Sequence, residues 1–264
     1  MIKKIVTHNG IFHADEVSAI ALLEIFTDEK YEIKRVPHNT PKEELREYDF
    51  AIDIGREFDG KKFFDHHQWS GGKSSAGLIW EYLGVAKDYP KLSRLIEMVD
   101  KQDTGRAKAK EFEYPNLIKL FNGNIERNDE NFFKALEFAK MIINSIKKEE
   151  EDRLKAKKII ENSKEFENIP ETLELKEFNP FWKKFINTKN NSDIKVVIWK
   201  DKDSYKAQVV PKEEDSFELG WRPFQKSNSM EFVHSAGFFA VAKDKETMKN
   251  FIQNYIKGGD YDKR

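Results

Sequence analysis

Apolar and polar positions change rhythm along the chain, and the rhythm predicts the elements. Ile2 to Thr7, Tyr31 to Val36, Phe50 to Ile54 and Lys62 to Phe64 are short runs rich in β-branched and aromatic residues, which predict four strands. Between the first two, Ala14 to Phe26 is of helix length and apolar almost throughout after Glu16. A helix with no polar face is expected to be buried, as on the face of a parallel sheet. Pro41 to Glu47 predicts a short helix opening on proline, and Ser75 to Leu83 and Leu92 to Val99 predict two more with Gly84 as a stop between them. Strands alternating with helices predict an α/β domain with a mainly parallel sheet over 1–115.

The pattern then shifts. Asn116 to Asn128 is polar and glycine-containing, which suits a linker or lid. Glu130 to Lys164 is a long helical stretch in which Phe133, Leu136, Ala139, Ile142, Ile143 and Ile146 recur at helical spacing. Its middle, Lys147 to Arg153, is a mixed charge run, so 116–168 is expected to be a solvated helical connector or hairpin. Beyond it, Asp193 to Trp199, Tyr205 to Val210 and Glu231 to His234 predict strands, with Phe239 to Ala242 extending the last of these across Gly237. Glu246 to Ile256 predicts a closing helix, and 169–264 reads as a smaller α/β or α+β domain.

Composition narrows the chemistry. Hydrophobic residues make up 39% of the 264, with 21 Phe, enough to fill a core. The 46 Lys+Arg and 47 Asp+Glu nearly cancel, so no overall basic field draws the chain to nucleic acid and any such ligand needs a local patch. There is no Cys, which excludes disulfides, thiolate zinc sites, iron–sulfur clusters and a cysteine nucleophile, and fits a reducing compartment. The opening MIKKIVTHNG has no apolar stretch of signal-peptide length, and no apolar run approaches the ~18 residues of a membrane span. The expectation is an intracellular, cytoplasmic protein with no membrane contact.

Histidine placement locates the chemistry. Five of the six His precede position 70, and four of them stand at the C-terminal ends of predicted strands. In open α/β sheets that edge binds ligands. The first cluster is His8-Asn9-Gly10-Ile11-Phe12-His13-Ala14-Asp15-Glu16; the second is Asp53-Ile54-Gly55; the third is Asp65-His66-His67-Gln68; the fourth is the turn Asp100-Lys101-Gln102-Asp103-Thr104-Gly105 after a helix. Taken singly, Asp15 reads as a helix N-cap, Asp53 as turn chemistry, Asp100 or Asp103 as a helix end, and His38 as a turn residue rather than a ligand. Taken together, His and Asp without thiolates suit manganese and similar first-row ions, and a metal pair suits in-line displacement at phosphorus. No Walker-type phosphate loop, dinucleotide fingerprint or Gly-x-Ser-x-Gly elbow competes with this reading.

These clusters, in this order, resemble the DHH phosphoesterase superfamily, and within it most nearly the Myg exonuclease family. The stretches that carry the resemblance are HNGIFHADEVSAIALL (8–23), DIG (53–55), DHHQ (65–68), SSAGLIWEYLG (74–84) and VDKQDTG (99–105), then AQVVPKEEDSF (207–217), GWR (220–222) and FVHSAGFFAVAKD (232–244). The chain departs from the family pattern at Arg56, in a short segment between Gln68 and Ser74, and at Thr104-Gly105. The resemblance implies a DHH-type first domain, a C-terminal substrate-binding domain, a cleft between them, and two divalent ions, Mn²⁺ with Mg²⁺ as the alternative. It further implies His8, His13, Asp15, Asp53 and His66 as ligands, with Asp53 bridging and Asp103 or Asp100 completing the second site. Asp65 would orient His66, His67 would face the phosphate, and Arg222, His234, Ser235 and Gly237 would contact substrate. Trp221 or Phe224 could offer a stacking surface, against which core packing is the competing reading.

The function expected is metal-dependent phosphodiester hydrolysis, foremost a 3′-to-5′ exonuclease acting on RNA or short oligonucleotides. The alternatives are a phosphoesterase for a small metabolite such as a cyclic dinucleotide, a nucleotide or pyrophosphate, and a non-catalytic metal- or nucleic-acid-binding module. No obligate protein partner is implied.

Overall fold

A computed structural model describes residues 2–27, 29–68, 72–123, 129–186, 193–214 and 216–258. Residues 69–71 and 124–128, in the short segment after Gln68 and at the end of the expected lid, lie outside them. The chain forms two compact units, Met1–Glu150 and Glu151–Arg264.

The first unit is built on four strands, β1 (Lys3–His8), β2 (Tyr31–Val36), β3 (Phe50–Ile52) and β4 (Phe63–Phe64), all parallel, in the order β2-β1-β3-β4. Side chains alternate across the sheet with the two-residue period of a strand. Ile5, Phe50, Ile52 and Phe64 enter the main core, whereas Val6, Ala51 and Phe63 enter a smaller one with Leu45 of the short helix α2 (Lys42–Leu45). The main core is covered by α1 (Ala14–Phe26), α3 (Ser75–Leu83), α4 (Pro90–Asp103), α5 (Tyr114–Leu120) and the start of α6 (Asp129–Asn162). Ten successive residues of α1, Ala14 to Leu23, are buried, as its lack of a polar face requires. The chain leaves β1 for β2 on one side and later returns to β3 on the other. That reversal opens a crevice at the C-terminal ends of β1 and β3, where open sheets bind ligands.

The structure departs from the sequence reading in several elements. α4 runs on to Asp103, so Asp100 and Asp103 belong to its last turn rather than to a turn after it. Part of the expected polar lid is a helix, α5, whose Tyr114 and Ile118 are buried. The 34 residues of α6 form one helix, not a hairpin, and the mixed charge run lies inside it. Within that run Glu150 is buried, and its carboxylate accepts the backbone N–H groups of Lys91 (2.7 Å) and Leu92 (3.3 Å). Those donors have no partner within α4, so a residue that looks like solvated charge caps another helix. Phe133 is exposed, and its neighbour Phe132 takes the core position.

The second unit holds a five-stranded sheet in the order β5-β6-β7-β9-β8, from β5 (Thr172–Leu175), β6 (Val196–Asp201), β7 (Ser204–Val209), β8 (Phe232–Val233) and β9 (Phe239–Ala242). It also contains the short α7 (Trp182–Phe185) and the closing α8 (Lys245–Lys257). β5 is parallel to β6 and the other pairs are antiparallel. Phe239 to Ala242 does not extend the preceding strand. The chain reverses at Gly237, where φ is 68°, and β9 pairs back on β8.

Candidate metal centre

His8 ends β1, and the chain must turn at once to start α1. Gly10 permits the turn: its N–H donates to His8 Nδ1 (3.1 Å), and a Cβ there would lie 3.0 Å from His38 Nε2 and 3.2 Å from His8 Nδ1. Two residues hold the loop from either side. Arg35 of β2, its side chain buried, donates to the carbonyls of His8 (3.1 Å) and Gly10 (2.7 Å), with its guanidinium over the Phe132 ring. Asn122 reads both backbone groups of Phe12, accepting its N–H (3.1 Å) and donating to its carbonyl (2.8 Å). His13 then caps α1, and the buried Glu16 accepts the His13 N–H at 2.9 Å. Asp15 is therefore not the cap. It sits in the first turn, where the helix dipole favours a carboxylate, and is fully buried.

Asp53 follows β3 with φ of 55°, a left-handed conformation uncommon outside glycine. Its carboxylate occupies the middle of the cluster. Oδ2 lies 3.2 Å from His8 Nε2, and Oδ1 lies 3.3 Å from His67 Nδ1 and 3.6 Å from His66 Nε2. Ser75, at the start of α3, donates to Oδ1 at 3.2 Å. His66 Nε2 is in turn 2.8 Å from Asp103 Oδ2 and 3.8 Å from Asp15 Oδ2, and His13 Nδ1 is 4.0 Å from Asp103 Oδ1. Three groups result whose ligating atoms lie within 4.8 Å of one another: Asp53, His66 and His67; His8, Glu16 and Asp53; His13, Asp15 and Asp103.

Two expectations are corrected here. Asp65 orients His67 rather than His66: its Oδ1 accepts both the backbone N–H (2.9 Å) and the Nδ1–H (2.8 Å) of His67. A short Asp side chain naturally bonds the backbone two residues on. Its Oδ2 accepts the Arg56 N–H at 2.7 Å. Of the alternatives Asp100 and Asp103, only Asp103 reaches the cluster. Asp100 Oδ1 accepts the Ser74 N–H (2.8 Å) and hydroxyl (2.7 Å), and a Cβ at Gly77 would come within 2.4 Å of its oxygens. Asp100 thus caps α3 and requires glycine beside it.

The electrostatics show what the cluster lacks. Both Asp15 oxygens are buried with no hydrogen-bond donor facing them among the described residues. Burial raises the Asp15 carboxyl well above the usual range, and the nearby Asp53, Asp103 and Glu16 carboxylates push it the same way. Burial opposes charge on His8, yet its hydrogen bonds with Asp53 and Glu16 prevail and raise it to about 9. Hydrogen bonds that the His67 ring donates to Asp53 and Asp65 raise it to about 10. Asp53 is held below its ordinary value although burial resists, because His67 and His8 face it. A buried Asp15 carboxyl with no donor, beside Asp53 and Asp103, fits a divalent cation, which would supply the missing charge and ligand bonds. The donors are all oxygen and imidazole nitrogen, a set that suits Mn²⁺ and its neighbours.

The remaining predicted residues lie in the second unit. The Arg222 carbonyl accepts the Tyr255 hydroxyl, and its guanidinium lies 5.1 Å from the Tyr255 ring and beside Gly258, past the end of α8. His234, Ser235 and Gly237 form the β8–β9 turn, in which the Gly237 N–H donates to the His234 carbonyl (2.7 Å) and the Ala236 N–H to His234 Nδ1 (3.1 Å). Phe224 is buried against Phe251 and Tyr255, the packing reading, while Trp221 is partly exposed with Lys195 Nζ 3.6 Å from its ring centre.

Arg35 and Asn122 carried no signal in the sequence, since both act on backbone atoms distant along the chain. His38 is a turn residue, as read, but its ring also stacks on His8 at 4.2 Å and 16°. Glu16 was visible within the first cluster without its bond to His8 Nε2, 3.1 Å away.

Residues 4–88 match the family model MYG1_exonuc, described as an uncharacterised protein family (UPF0160). A MYG1 protein of Chlamydia muridarum is 37% identical over 146 residues, half of this chain and half of that one. The chain thus spans about half the length of the chlamydial relatives it matches. A protein named MYG1 exonuclease from Bos taurus is 25% identical over 313 aligned positions, covering 92% of this chain and 82% of that one. Among solved structures, RecJ from Thermus thermophilus in complex with Mg²⁺ aligns with 98% of this chain and 50% of its own, at 12% identity and a TM-score of 0.30.

Proposed function

We propose, from the similarity to MYG1 proteins together with the geometry of the cluster, that this chain is a metal-dependent phosphodiesterase that shortens RNA or short oligonucleotides from the 3′ end. The observation that carries the reading is the buried Asp15 carboxyl, with no donor to it among the described residues, in a cluster with Asp53, Asp103 and the imidazoles of His8, His13 and His66. His8, His13, Asp15, Asp53, His66 and Asp103 would hold the divalent ions, Mn²⁺ or Mg²⁺, with Asp53 central among them. Such a pair supplies Lewis acidity, which acidifies water and neutralises charge on phosphate oxygens. The protein's own groups do the rest. Arg35 and Asn122 fix the ligand loop, and the Glu16 carboxylate orients His8. The half-exposed His67 has Nδ1 engaged by Asp65, which leaves Nε2 to donate to a non-bridging phosphate oxygen. Arg222, His234, Ser235 and Gly237, all in the second unit, are read as contacts to the rest of the substrate.

The test is release of mononucleotides from a labelled RNA ladder and from a dinucleotide, with Mn²⁺ or EDTA, by wild type and Asp53→Ala. Shortening by wild type with Mn²⁺ alone is the expected result. Cleavage of the dinucleotide only would move the reading to short fragments. Tight metal binding with no cleavage of either would overturn the nuclease reading in favour of a small phosphoester or a binding role.

A further inference from the structure

The cluster has a second recognition element that the proposed chemistry does not use. On the His67 side opens a pocket of about 500 Å³ whose lining includes Asp53, Asp65 and His67 of the cluster, together with His38, Asn39 and Arg56. A space of that size accepts a nucleoside with its phosphate.

The charges in this pocket are already sorted. Both Asp65 oxygens are engaged, by His67 and by the Arg56 N–H, and Asp53 faces His8 and His67. The exposed Arg56 guanidinium has no carboxylate partner among the described residues. Arg56 thus contributes a cation to the residues around the pocket, its guanidinium making no hydrogen bond or ion pair among the described residues. The planar fork of a guanidinium matches two oxygens of a phosphate.

The backbone supports the same conclusion. Arg56 has φ of 49°, in the left-handed region where glycine is favoured and a long side chain is strained. The bond from its N–H to Asp65 would survive a change to glycine, since it involves no side-chain atom of Arg56. What the strained position retains is the guanidinium itself. His38 is pinned by its stack on His8, and Asn39 adds a polar group on the same wall.

We infer that this pocket is a subsite for a second phosphate, held by Arg56 with His38 and Asn39, one nucleoside away from the bond that is cut. The inference rests on the phosphodiesterase reading of the cluster and adds a substrate class to it: nucleotide chains that carry a phosphate beyond the scissile one. That phosphate can be a terminal phosphomonoester or the next internucleotide linkage.

The probes are diadenylate with a phosphate at its 5′ end, at its 3′ end or at neither, and triadenylate. Each is titrated into the protein in EDTA by calorimetry and turned over with Mn²⁺. In EDTA, wild type is expected to bind at least one of the phosphate-bearing probes five- to tenfold more tightly than plain diadenylate. Arg56→Gly should abolish that difference and Arg56→Lys should keep part of it. With Mn²⁺ the same ranking should appear in KM. A preference for an end-phosphorylated dimer alone identifies a phosphomonoester, and an equal preference for triadenylate identifies the internal linkage. Because glycine relieves the left-handed backbone, the Arg56→Gly melting temperature should match or exceed wild type, which separates lost recognition from unfolding. The binding arm stands even if nothing is hydrolysed. Equal binding of all four probes by wild type, or an unchanged preference in Arg56→Gly, overturns the subsite.

Discussion

At the scale of single residues, the cluster is costly without its ions. Asp15 is fully buried with no donor for either oxygen among the described residues, and its carboxyl is pushed well above the ordinary range by burial and by Asp53. Asp15→Asn keeps the shape and removes the buried ionisable group. In EDTA the variant should melt a few degrees higher than wild type, and its Mn²⁺ affinity should fall by more than tenfold, read by differential scanning fluorimetry and calorimetry. If the variant melts lower in EDTA, Asp15 is not the strained group described here. The histidines set a pH dependence with a definite sign. His8 is raised to about 9 and His67 to about 10, so in EDTA they contribute stability below their ordinary value near 6.5. That contribution is lost as pH rises through about 9 to 10. Asp53 is lowered, so its contribution is present above the ordinary carboxylate value and lost as pH falls below it. Ions must displace protons from His8 and Asp15. Mn²⁺ affinity should therefore rise from pH 6 to pH 8 with net proton release, seen as a buffer-dependent heat; a flat profile would contradict these assignments.

At the scale of elements, the ligands are only as well placed as the loops that carry them. The His8–His13 loop hangs on the Arg35 bonds to two carbonyls and the Asn122 pair at Phe12. Arg35→Lys keeps a charge but loses the fork, and should weaken Mn²⁺ binding by roughly 10–100-fold, as outer partners of metal ligands do. An unchanged Kd would show that the loop holds itself. This scale also separates what the sequence revealed from what it hid. α1 was legible to the residue, because a helix apolar all round has one stable place. α5 was not: its seven residues include Pro115, Asn116 and Lys119, and only tertiary burial of Tyr114 and Ile118 decides it. Asp100 and Asp103 stand three apart on one helix, so periodicity puts both on neighbouring faces. Which one meets the cluster depends on Ser74 and Gly77 of another element. The reversal at Gly237 was hidden because two short apolar runs around a glycine read equally as one strand or as a hairpin.

At the scale of the whole molecule, the proposed metal ligands all come from the first unit, at the ends of β1, β3, β4 and α4 and in the first turn of α1. That four distant segments would meet was legible from His and Asp standing at strand ends; the distances among them were not, since they depend on left-handed turns at Asp53 and Arg56. Metal binding and second-unit stability should therefore separate. Trp182, buried in the second unit, should cost about 3–5 kcal/mol when changed to alanine. A lower melting transition with Mn²⁺ affinity within twofold of wild type is the expected pattern, and loss of both would mean that the units do not act separately. The central claim is that these side chains form a two-ion centre around Asp53. The most direct measurement is a calorimetric Mn²⁺ titration of wild type and Asp53→Asn after chelation. Two saturable sites in wild type and loss of at least one in the variant are the predicted result. An absence of saturable binding in wild type, or two undisturbed sites in the variant, would contradict it.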